Sequence, residues 1–408
     1  MSFRAFLHPA SLGMAVHVAR ARIRRAFRGH HRHQGTAEEI LTAGLERCWT
    51  GRYLTASPGT YRQFWTRDLG FAAPALVRLG EPWPERLALT LEWAIETWRR
   101  RRSHVTTTIS PLFRLPVDLF DYGVASLPLL LTSLRSLSHG APGPVAARAA
   151  ALVESNRDWL ATEVDHYVRT VVDPETGLVR TDRHFSAHRD TFRNRSTAYG
   201  NTMVALLART VAETGWTPDA LGRWFESPDG GAKGRDWGQL LRRHFWLGDR
   251  FRDRLGSDET SGEANVWPFF SGLIEDREML AAALETLRRE GYATPHPLRF
   301  VTRHGEADLI FAFRLWSSDY QTTTAWTSLG SIYLNLLREV DPAAATAELE
   351  KTRAMIERDG TFWEVIDPHG RPWRSRSRLS VSDASMLWGA ILLETLEHPA
   401  GAPLRIGR

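Results

Sequence analysis

The chain has 408 residues, of which 43% are hydrophobic and 24% charged, with 52 Lys and Arg against 47 Asp and Glu. This composition is typical of a globular protein and excludes a disordered or fibrous one. The nearest candidate for a membrane span, Ala125 to Leu131, is far shorter than the roughly 20 apolar residues required, which excludes a transmembrane protein. The single Cys48 cannot form a disulfide within the chain, so a reducing compartment is permitted and we expect a cytoplasmic protein.

The basic excess is concentrated in a leader, residues 1–34, which contains no acid; the first is Glu38. Its arginines are Arg4, Arg20, Arg22, Arg24, Arg25, Arg28 and Arg32. The charges are mixed beyond the leader, which disfavours a nucleic-acid binder. The leader is either a flexible, solvated tail or a basic amphipathic helix that touches an anionic membrane. His17 and Arg20 interrupt its apolar run, which argues against a secretory signal.

Helical periodicity begins at Thr36, which with Glu39 forms a capping box. Apolar spacings of three and four residues predict a series of helices separated by Gly- and Pro-rich breakers. These helices cover 38–48, 68–79, 84–102, 118–137, 143–168, 198–214, 236–246, 263–273, 276–291, 321–338, 342–358 and 382–397.

Two extended stretches, 167–180 and 361–374, read as β-hairpin excursions from this helical body. A helical chain without a strand-rich domain forms either a superhelical array or a closed barrel. No repeat of roughly 34 to 47 residues is visible, which disfavours the array. We therefore predict an all-α, (α/α)6 toroid of six helical hairpins as one domain over 35–400, followed by a short tail, 401–408.

The sequence Phe64-Trp65-Thr66-Arg67-Asp68-Leu69-Gly70 opens a predicted helix with an aromatic ring, a guanidinium and a carboxylate. An N-terminal charge on the helix dipole is the plain interpretation of Asp68. The segment also resembles the Trp-Thr-Arg-Asp signature of glucoamylases and of the amylo-α-1,6-glucosidase part of glycogen-debranching enzymes. This resemblance implies that Trp65, Arg67 and Asp68 bind the terminal sugar. The chain also contains 16 tryptophans, a number that suits either a sugar cleft or an aromatic core.

A second segment, 185–190, ends in Asp190 and precedes the predicted helix 198–214. Charged side chains are crowded in and around this segment, and such a run is usually a solvated loop. On the resemblance, Asp190 holds the position of the general acid. Flanking arginines favour the ionised carboxylate, so this role requires Arg189 and Arg193 to point away. Asp118 or Asp121, at the start of the predicted helix 118–137, is the alternative acid, because neutral invertases place theirs near that helix.

A third segment, 360–367, carries Glu364 among aromatic and β-branched residues. A lone exposed carboxylate is the plain interpretation. In the family that the chain resembles, a Glu before a Gly-x-Pro turn and the last barrel helix is the general base. We therefore expect Glu364 to be that base.

Further stretches match a sugar cleft more loosely, and helix caps explain each of them equally well. On the resemblance, the candidate substrate-binding residues in these stretches are Asp121, Glu263, Asn265, Trp267, Trp316, Tyr320 and Gln321.

The resemblance implies an exo-acting, inverting glycoside hydrolase that cleaves a terminal, α-glucosidic linkage without a metal or other cofactor. Asp190 would protonate the leaving oxygen while Glu364 activates water on the opposite face, with the two carboxyl groups about 6.5 to 9.5 Å apart. Since no starch-binding domain is recognisable, we expect a small oligosaccharide or glucoside as the substrate.

Other functions on the same toroid stay open at this point. An epimerase or lyase would use His184, His188, His304 or Tyr320, and a phosphorylase would bind phosphate in place of water. A protein that binds glycans without catalysis would keep the toroid and lose the acid.

Overall fold

The computed structural model describes residues 20–21, 23–25, 27, 29–111, 113–118, 120–192, 194–214, 236–303, 318–376 and 380–406. Its helices are α1 (Ala37–Cys48), α2 (Thr66–Arg78), α3 (Trp83–Arg101), α4 (Ser126–Gly140), α5 (Gly143–Ser155), α6 (Arg157–Val171), α7 (Ala198–Thr214), α8 (Trp237–Phe245), α9 (Gly262–Phe270), α10 (Arg277–Arg289), α11 (Thr327–Val340), α12 (Pro342–Asp359) and α13 (Gly389–Glu397). The strands are β1 (Phe64–Trp65), β2 (Thr108–Ser110), β3 (Leu115–Val117), β4 (Tyr122–Gly123), β5 (Phe185–Ser186), β6 (Ala325–Trp326) and β7 (Val365–Ile366). Among the described residues, no helix has both the length and the apolarity to cross a bilayer.

Within the described residues, six helices form a closed inner ring. Helix α2 packs against α4, α4 against α7, α7 against α9, α9 against α11, α11 against α13, and α13 returns to α2. The other helices pack on the outside of this ring, each against an inner helix, and α1 packs against α13 at the opposite end of the chain. This alternation of outer and inner helices is an (α/α)6 toroid, which confirms the predicted fold.

Burial explains which helices are inner. All residues of α9, from Gly262 to Phe270, are buried, and so are the α11 residues from Thr327 to Leu337. Outer helix α12 buries only a stripe, which consists of Ala345, Leu349, Thr352, Met355 and Ile356. A helix that is apolar on all sides belongs inside a core, whereas a striped helix belongs at its surface.

The short strands lie at one end of the toroid, where they lead into inner helices. Strand β1 pairs antiparallel with β2, with Phe64 opposite Ile109, and β2 pairs antiparallel with β3. Strands β4 and β5 are parallel. Strand β6 pairs antiparallel with β7, with Ala325 opposite Ile366 and Trp326 opposite Val365. These pairs fix the backbone just before the inner helices α2, α4 and α11.

Several helix boundaries differ from the predicted ones. The predicted helix 118–137 begins only at Ser126, since the preceding residues form β4. The predicted helix 143–168 is interrupted at Asn156, whose side-chain amide donates to the carbonyl of Leu152 at 2.7 Å. Such a bond competes with the backbone ladder and ends α5. The predicted hairpin 167–180 is narrower, because helix α6 continues to Val171 and Val172 then pairs with Val179.

The chain ends contact the body in their described parts. His33 donates its backbone N–H to the carbonyl of Gly360 at 2.7 Å, and Arg32 donates to the carbonyl of Arg358. Leu404 is buried, and the side chain of Asn335 bonds both its N–H and its carbonyl. The described residues of the predicted leader and tail are therefore docked on the toroid.

Candidate active site

A cavity of about 220 Å³ lies at the N-terminal ends of four inner helices, α2, α7, α11 and α13. Side chains from five separate stretches of sequence meet there. Its walls are Tyr61, Gln63, Trp65, Arg67, Asp68, Asp190, Thr191, Tyr320, Gln321, Trp326, Glu364, Met386 and Trp388. The structure thus brings together both candidate catalytic residues and five of the candidate sugar-binding residues.

The first wall comes from the start of helix α2. The backbone changes from strand to helix at Trp65, and the Thr66 hydroxyl donates to the carbonyl of Thr106 at 2.7 Å. Arg67 and Asp68 therefore lie in the first helical turn, where both are buried. Burial raises the pKa of Asp68 to about 6; the neighbouring Asp190 adds to this shift, and Arg67 opposes it.

Asp190 lies in the loop before α7 and is the more open of the two candidate catalytic carboxylates, with 18% of its side chain exposed. The Ser186 hydroxyl donates to Asp190 Oδ1 at 2.7 Å, and Arg67 Nη1 donates to Oδ2 at 3.0 Å. Arg67 also donates to the carbonyl of Ala187. The loop is thus attached to the start of α2 through one guanidinium.

Gln321 holds the same loop from the opposite side. Its Oε1 accepts from the Thr191 backbone N–H at 2.8 Å, and its Nε2 donates to the carbonyl of His188 at 3.2 Å. Although Gln321 lines the cavity, both ends of its amide are bonded to this loop. Gln321 therefore positions Asp190.

The flanking arginines of Asp190 were expected to point away from it. Arg189 does so: its Nε donates to Glu263 at 2.8 Å, and its Nη2 donates to Asp253. Arg193 lies outside the described residues. The guanidinium beside Asp190 is that of Arg67, from a different helix, which the sequence did not indicate.

Glu364 lies directly before β7 and is buried, with only 3% of its surface exposed. The Tyr320 hydroxyl donates to its Oε1, and the backbone N–H of Asp383 donates to its Oε2 at 3.0 Å. Burial raises the pKa of Glu364 to about 7, and the nearby Asp383 carboxylate adds to this. The two hydrogen bonds oppose the shift, because they favour the ionised form.

Three polar atoms in the cavity wall are buried without a hydrogen-bond partner among the described residues. They are Gln63 Oε1, Trp65 Nε1 and Asp68 Oδ2. A buried polar atom that is left unpaired costs about 1 to 3 kcal/mol, so such atoms usually face a ligand or water. Two acceptors and one donor directed into one small cavity suit a ligand that carries several hydroxyl groups.

Aromatic rings form much of the remaining wall. Tyr320 and Trp326 meet edge to face with centroids 5.1 Å apart, and Trp326 lies 6.3 Å from Trp388. Tyr61 contacts Trp65 in the same edge-to-face manner. Rings with a polar tip combine an apolar face with hydrogen-bonding capacity, as a sugar ring requires of its site.

Three candidate sugar-binding residues on α9 do not line the cavity. Glu263 is buried and pairs with Arg189, and burial raises its pKa to about 7. Asn265 donates to Thr260 at 2.6 Å and accepts from the Phe251 backbone at 2.8 Å. Trp267 is fully buried against Phe71. These contacts hold the toroid together behind the cavity, so α9 supports the site from outside its walls.

The structure also places the alternative acids away from the cavity. Asp121 is exposed, and Asp118 bonds His104 Nε2 at 2.6 Å and the Thr107 N–H at 2.7 Å. Asp118 therefore fixes the loop before β4. Trp316, the remaining candidate, lies outside the described residues.

The groups that an epimerase or lyase would use are dispersed. Tyr320 lines the cavity, whereas His188 is buried behind it, and burial together with Arg67 and Arg189 lowers its pKa well below the ordinary value. His184 is not among the cavity residues, and His304 lies outside the described part of the chain. Among the described residues, no three His, Cys, Asp or Glu side chains are placed to hold a metal ion.

Sequence analysis missed several residues of the cavity wall, although a repeated pattern in the sequence marks one of them, Trp326. The pair Trp326-Thr327 opens α11 as Trp65-Thr66 opens α2, and each threonine hydroxyl donates to a carbonyl of a neighbouring strand segment. This internal repeat would have identified Trp326. Gln63, Met386 and Trp388 have no comparable local pattern.

No model of a protein family matches the chain, and no curated protein matches it in sequence. Solved structures do match. The chain is similar to a rhamnosidase from Klebsiella oxytoca with rhamnose bound, with a TM-score of 0.61 and 12% identity over 90% of this chain. The match covers 63% of the rhamnosidase chain, so this chain spans less than two thirds of its length.

The chain is also similar to a GH63 mannosylglycerate hydrolase from Thermus thermophilus, solved in complex with Tris. The TM-score is 0.59 and the identity 14%, over 88% of this chain and 99% of that one. The same hydrolase has been solved with Tris and D-glycerate and with glucose. These similarities confirm the predicted toroidal fold.

Proposed function

We propose that this protein is an inverting glycoside hydrolase that removes a terminal sugar from a small glycoside. The observation that supports this function is the single cavity in which Asp190 and Glu364 meet unpaired polar atoms and aromatic rings. Hydrolysis of a glycosidic bond with inversion needs two carboxyl groups on opposite sides of the sugar ring. Asp190, in the loop before α7, and Glu364, directly before β7, are the two carboxyl groups that we assign to these roles.

Asp190 is the general acid in this proposal. It is the more open of the two groups, as an acid that meets a departing oxygen requires. In the free protein Arg67 and Ser186 hold the carboxyl group in place. This role requires Asp190 to be protonated when it acts, so the leaving oxygen must replace Arg67 as the partner of Oδ2. The proton then passes from Asp190 to that oxygen as the glycosidic bond breaks.

Glu364 is the general base. Its two hydrogen-bond donors, Tyr320 and the Asp383 backbone, fix the orientation of the carboxylate. A water molecule between Glu364 and the anomeric carbon loses a proton to Glu364 as it attacks the ring from the face opposite the leaving group. The attack inverts the configuration of that carbon, and a phosphorylase would not need this base.

The sugar itself is held by the start of α2. Asp68 and Gln63 offer acceptor atoms without a hydrogen bond, and Trp65 offers such a donor; Asp68 Oδ2 also lies 3.8 Å from Arg67 Nε. The cavity volume of about 220 Å³ is below the roughly 300 to 1,000 Å³ of pockets for drug-sized ligands. We therefore infer exo action on one terminal ring, with an α-glucoside as the first expected substrate.

The test is hydrolysis of a panel of small glycosides by the purified full chain. The panel contains α- and β-glucosides, short gluco-oligosaccharides, mannosylglycerate and rhamnosides; the last two reflect the names of the similar structures. We expect release of a monosaccharide from at least one member, with loss of release in Glu364→Gln. Glu175→Gln, on an exposed turn, is the matched control and should retain full activity.

Absence of release from every member, in a sample whose circular dichroism shows the helical fold, would contradict the proposal. Release that persists unchanged in Glu364→Gln would contradict the assignment of the base.

A further inference from the structure

A second, larger cavity of about 690 Å³ lies between the docked leader and the body of the toroid. It is lined by basic side chains from three separate stretches, together with Asp383 and its neighbours. The basic residues are Arg20, Arg24, Arg25, Arg47, Arg62 and two histidines, His30 and His31.

These positive charges exceed the negative charges around them. Arg25 pairs with Asp383, whose other oxygen accepts from the Ser57 hydroxyl and from the Thr60 N–H at 2.7 Å. Within the described residues, the structure shows no ion pair for Arg24, Arg47 or Arg62. Burial lowers the pKa of Arg47, and the charges of Arg24 and Arg62 lower it further, so these side chains lie close enough to repel each other.

The acids described near this cavity are already engaged. The first 37 residues contain no Asp or Glu. The acids of α1 are already engaged: Glu38 pairs with Arg353 at 2.6 Å, Glu39 caps its own helix, and Glu46 pairs with Arg86 at 2.8 Å. Arg24, Arg47 and Arg62 are exposed side chains that line one cavity without counter-charges among the described residues, and such a group is a site for an anion that the chain itself does not supply.

We propose that this second cavity binds a phosphoryl group, with Arg24, Arg47 and Arg62 as its principal ligands. Guanidinium groups bind phosphate oxygens through pairs of parallel hydrogen bonds, and arginines from separate segments can surround a tetrahedral anion. The cavity is large enough for a phosphorylated small molecule or for the headgroup of a phosphorylated lipid. The basic side chains select for the charge that these ligands share.

This site is distinct from the candidate active site. Pro58, Gly59, Thr60 and Arg62 line the basic cavity, whereas Tyr61 lines the active-site cavity. The basic cavity is on the side of Glu364, since Asp383 lines it and donates its N–H to Glu364. The leaving group departs near Asp190, so the anion is not the leaving part of the substrate. The inference does not depend on hydrolytic activity.

The experiment measures binding of pyrophosphate to the full chain by calorimetry and by the rise in Tm, at constant ionic strength with chloride as the reference. We expect saturable binding to wild type, weakened at least about tenfold in Arg47→Gln/Arg62→Gln because two charge-assisted contacts are lost. Arg24→Gln, at an exposed position, should weaken binding in the same direction. Arg52→Gln/Arg100→Gln, which removes equal charge from exposed sites outside the cavity, is the matched control and should bind as wild type does.

A second arm separates the two sources of the phosphoryl group. It measures sedimentation of the chain with vesicles that contain phosphatidylinositol 4-phosphate, against vesicles of equal charge made with phosphatidylserine. Selective binding that needs Arg47 and Arg62 assigns a lipid headgroup, and binding of soluble pyrophosphate alone assigns a soluble phosphate ester. Absence of saturable binding in both arms, or equal loss in the control double variant, would overturn the proposal.

In phosphate-free buffer, Arg47→Gln/Arg62→Gln should unfold at a Tm equal to or above that of wild type, because removal of these charges relieves their repulsion. A clear fall in that Tm would mean that the arginines stabilise the fold by contacts of their own, and it would contradict an anion site.

Discussion

The two carboxylates of the candidate active site are held in opposite ways. Asp190 lies on a loop, partly exposed, beside the permanent charge of Arg67 and the hydroxyl of Ser186. Glu364 lies at the start of a strand, buried, and its donors are the neutral Tyr320 hydroxyl and a backbone N–H. This difference suits the proposed roles: the proposed acid, which would meet a variable leaving oxygen, is accessible, whereas the proposed base, which would orient one water molecule, is enclosed.

The largest expected effect comes from substitution of the buried carboxylate, Glu364. Glu364→Gln removes the base and should lower kcat about 10²- to 10⁴-fold on every substrate, because no other described carboxylate in the cavity lies next to β7. Hydrolysis rates of an alkyl glycoside and of the matching glycosyl fluoride measure this. A loss on only one of the two substrates would contradict the assignment of Glu364 as the base.

Asp190→Asn should have an effect that depends on the leaving group. An alkoxide needs a proton in order to depart, so hydrolysis of an alkyl glycoside should fall about 10²- to 10⁴-fold. Fluoride departs without one, so hydrolysis of the glycosyl fluoride should fall much less. Equal losses on both substrates would show that Asp190 only binds or positions.

The dependence of activity on pH tests the role of Glu364 as the base. Glu364 must be ionised to act, so kcat/KM should rise with pH through about 7, the raised pKa of its carboxyl group. Tyr320→Phe removes a donor that favours the ionised form and should move this rise to higher pH by about one unit. Activity should therefore fall more at pH 6 than at pH 9.

Tyr53→Phe is the control for this profile. The Tyr53 hydroxyl donates to the carbonyl of Arg62 and does not line the active-site cavity. Its removal should leave the profile in place. A uniform loss at all pH values in Tyr320→Phe would mean that Tyr320 contributes only packing.

The smallest expected effect concerns stability. The pKa of Glu364 is about 7 in the fold and 4.5 in its ordinary state, so between these values the folded chain keeps a proton that the unfolded chain loses. The free energy of unfolding falls as pH rises through this window, by about 3 kcal/mol if the whole shift is realised. Glu364→Gln lacks this fall and should gain Tm relative to wild type at pH 8 more than at pH 4.5, as measured by thermal unfolding. An equal difference at both pH values would contradict the buried charge.

Sequence patterns predicted the helical fold because the outer helices are amphipathic and leave a periodic signal, whereas the inner ones are apolar on most sides and leave apolar stretches. Boundaries near the site were less predictable. Helix α13 begins at Gly389 and not at 382, because Asp383 is bonded to Ser57 and Thr60 from a distant part of the chain. A contact of that sequence separation has no local signature.

The residues of the candidate site also divide into those with a local sequence signal and those without one. Trp65, Arg67 and Asp68 form one short motif, and both Asp190 and Glu364 lie in segments that resemble known ones, so all were predicted. Partner residues were not: the contact of Arg67 with Asp190 joins α2 to a loop more than a hundred residues away. Conversely, Glu263 and Asn265 have the residue types of a sugar site but form the support behind it, and only the folded structure distinguishes these roles.

The most direct test of the central claim follows the configuration of the released sugar. Proton NMR of wild type with its best substrate, recorded in the first minutes before mutarotation, reports the anomer that forms first. Attack by a water molecule held at Glu364, with Asp190 on the opposite face, predicts that this anomer is inverted relative to the substrate. First release of the retained anomer would contradict the account, because it would require a covalent intermediate.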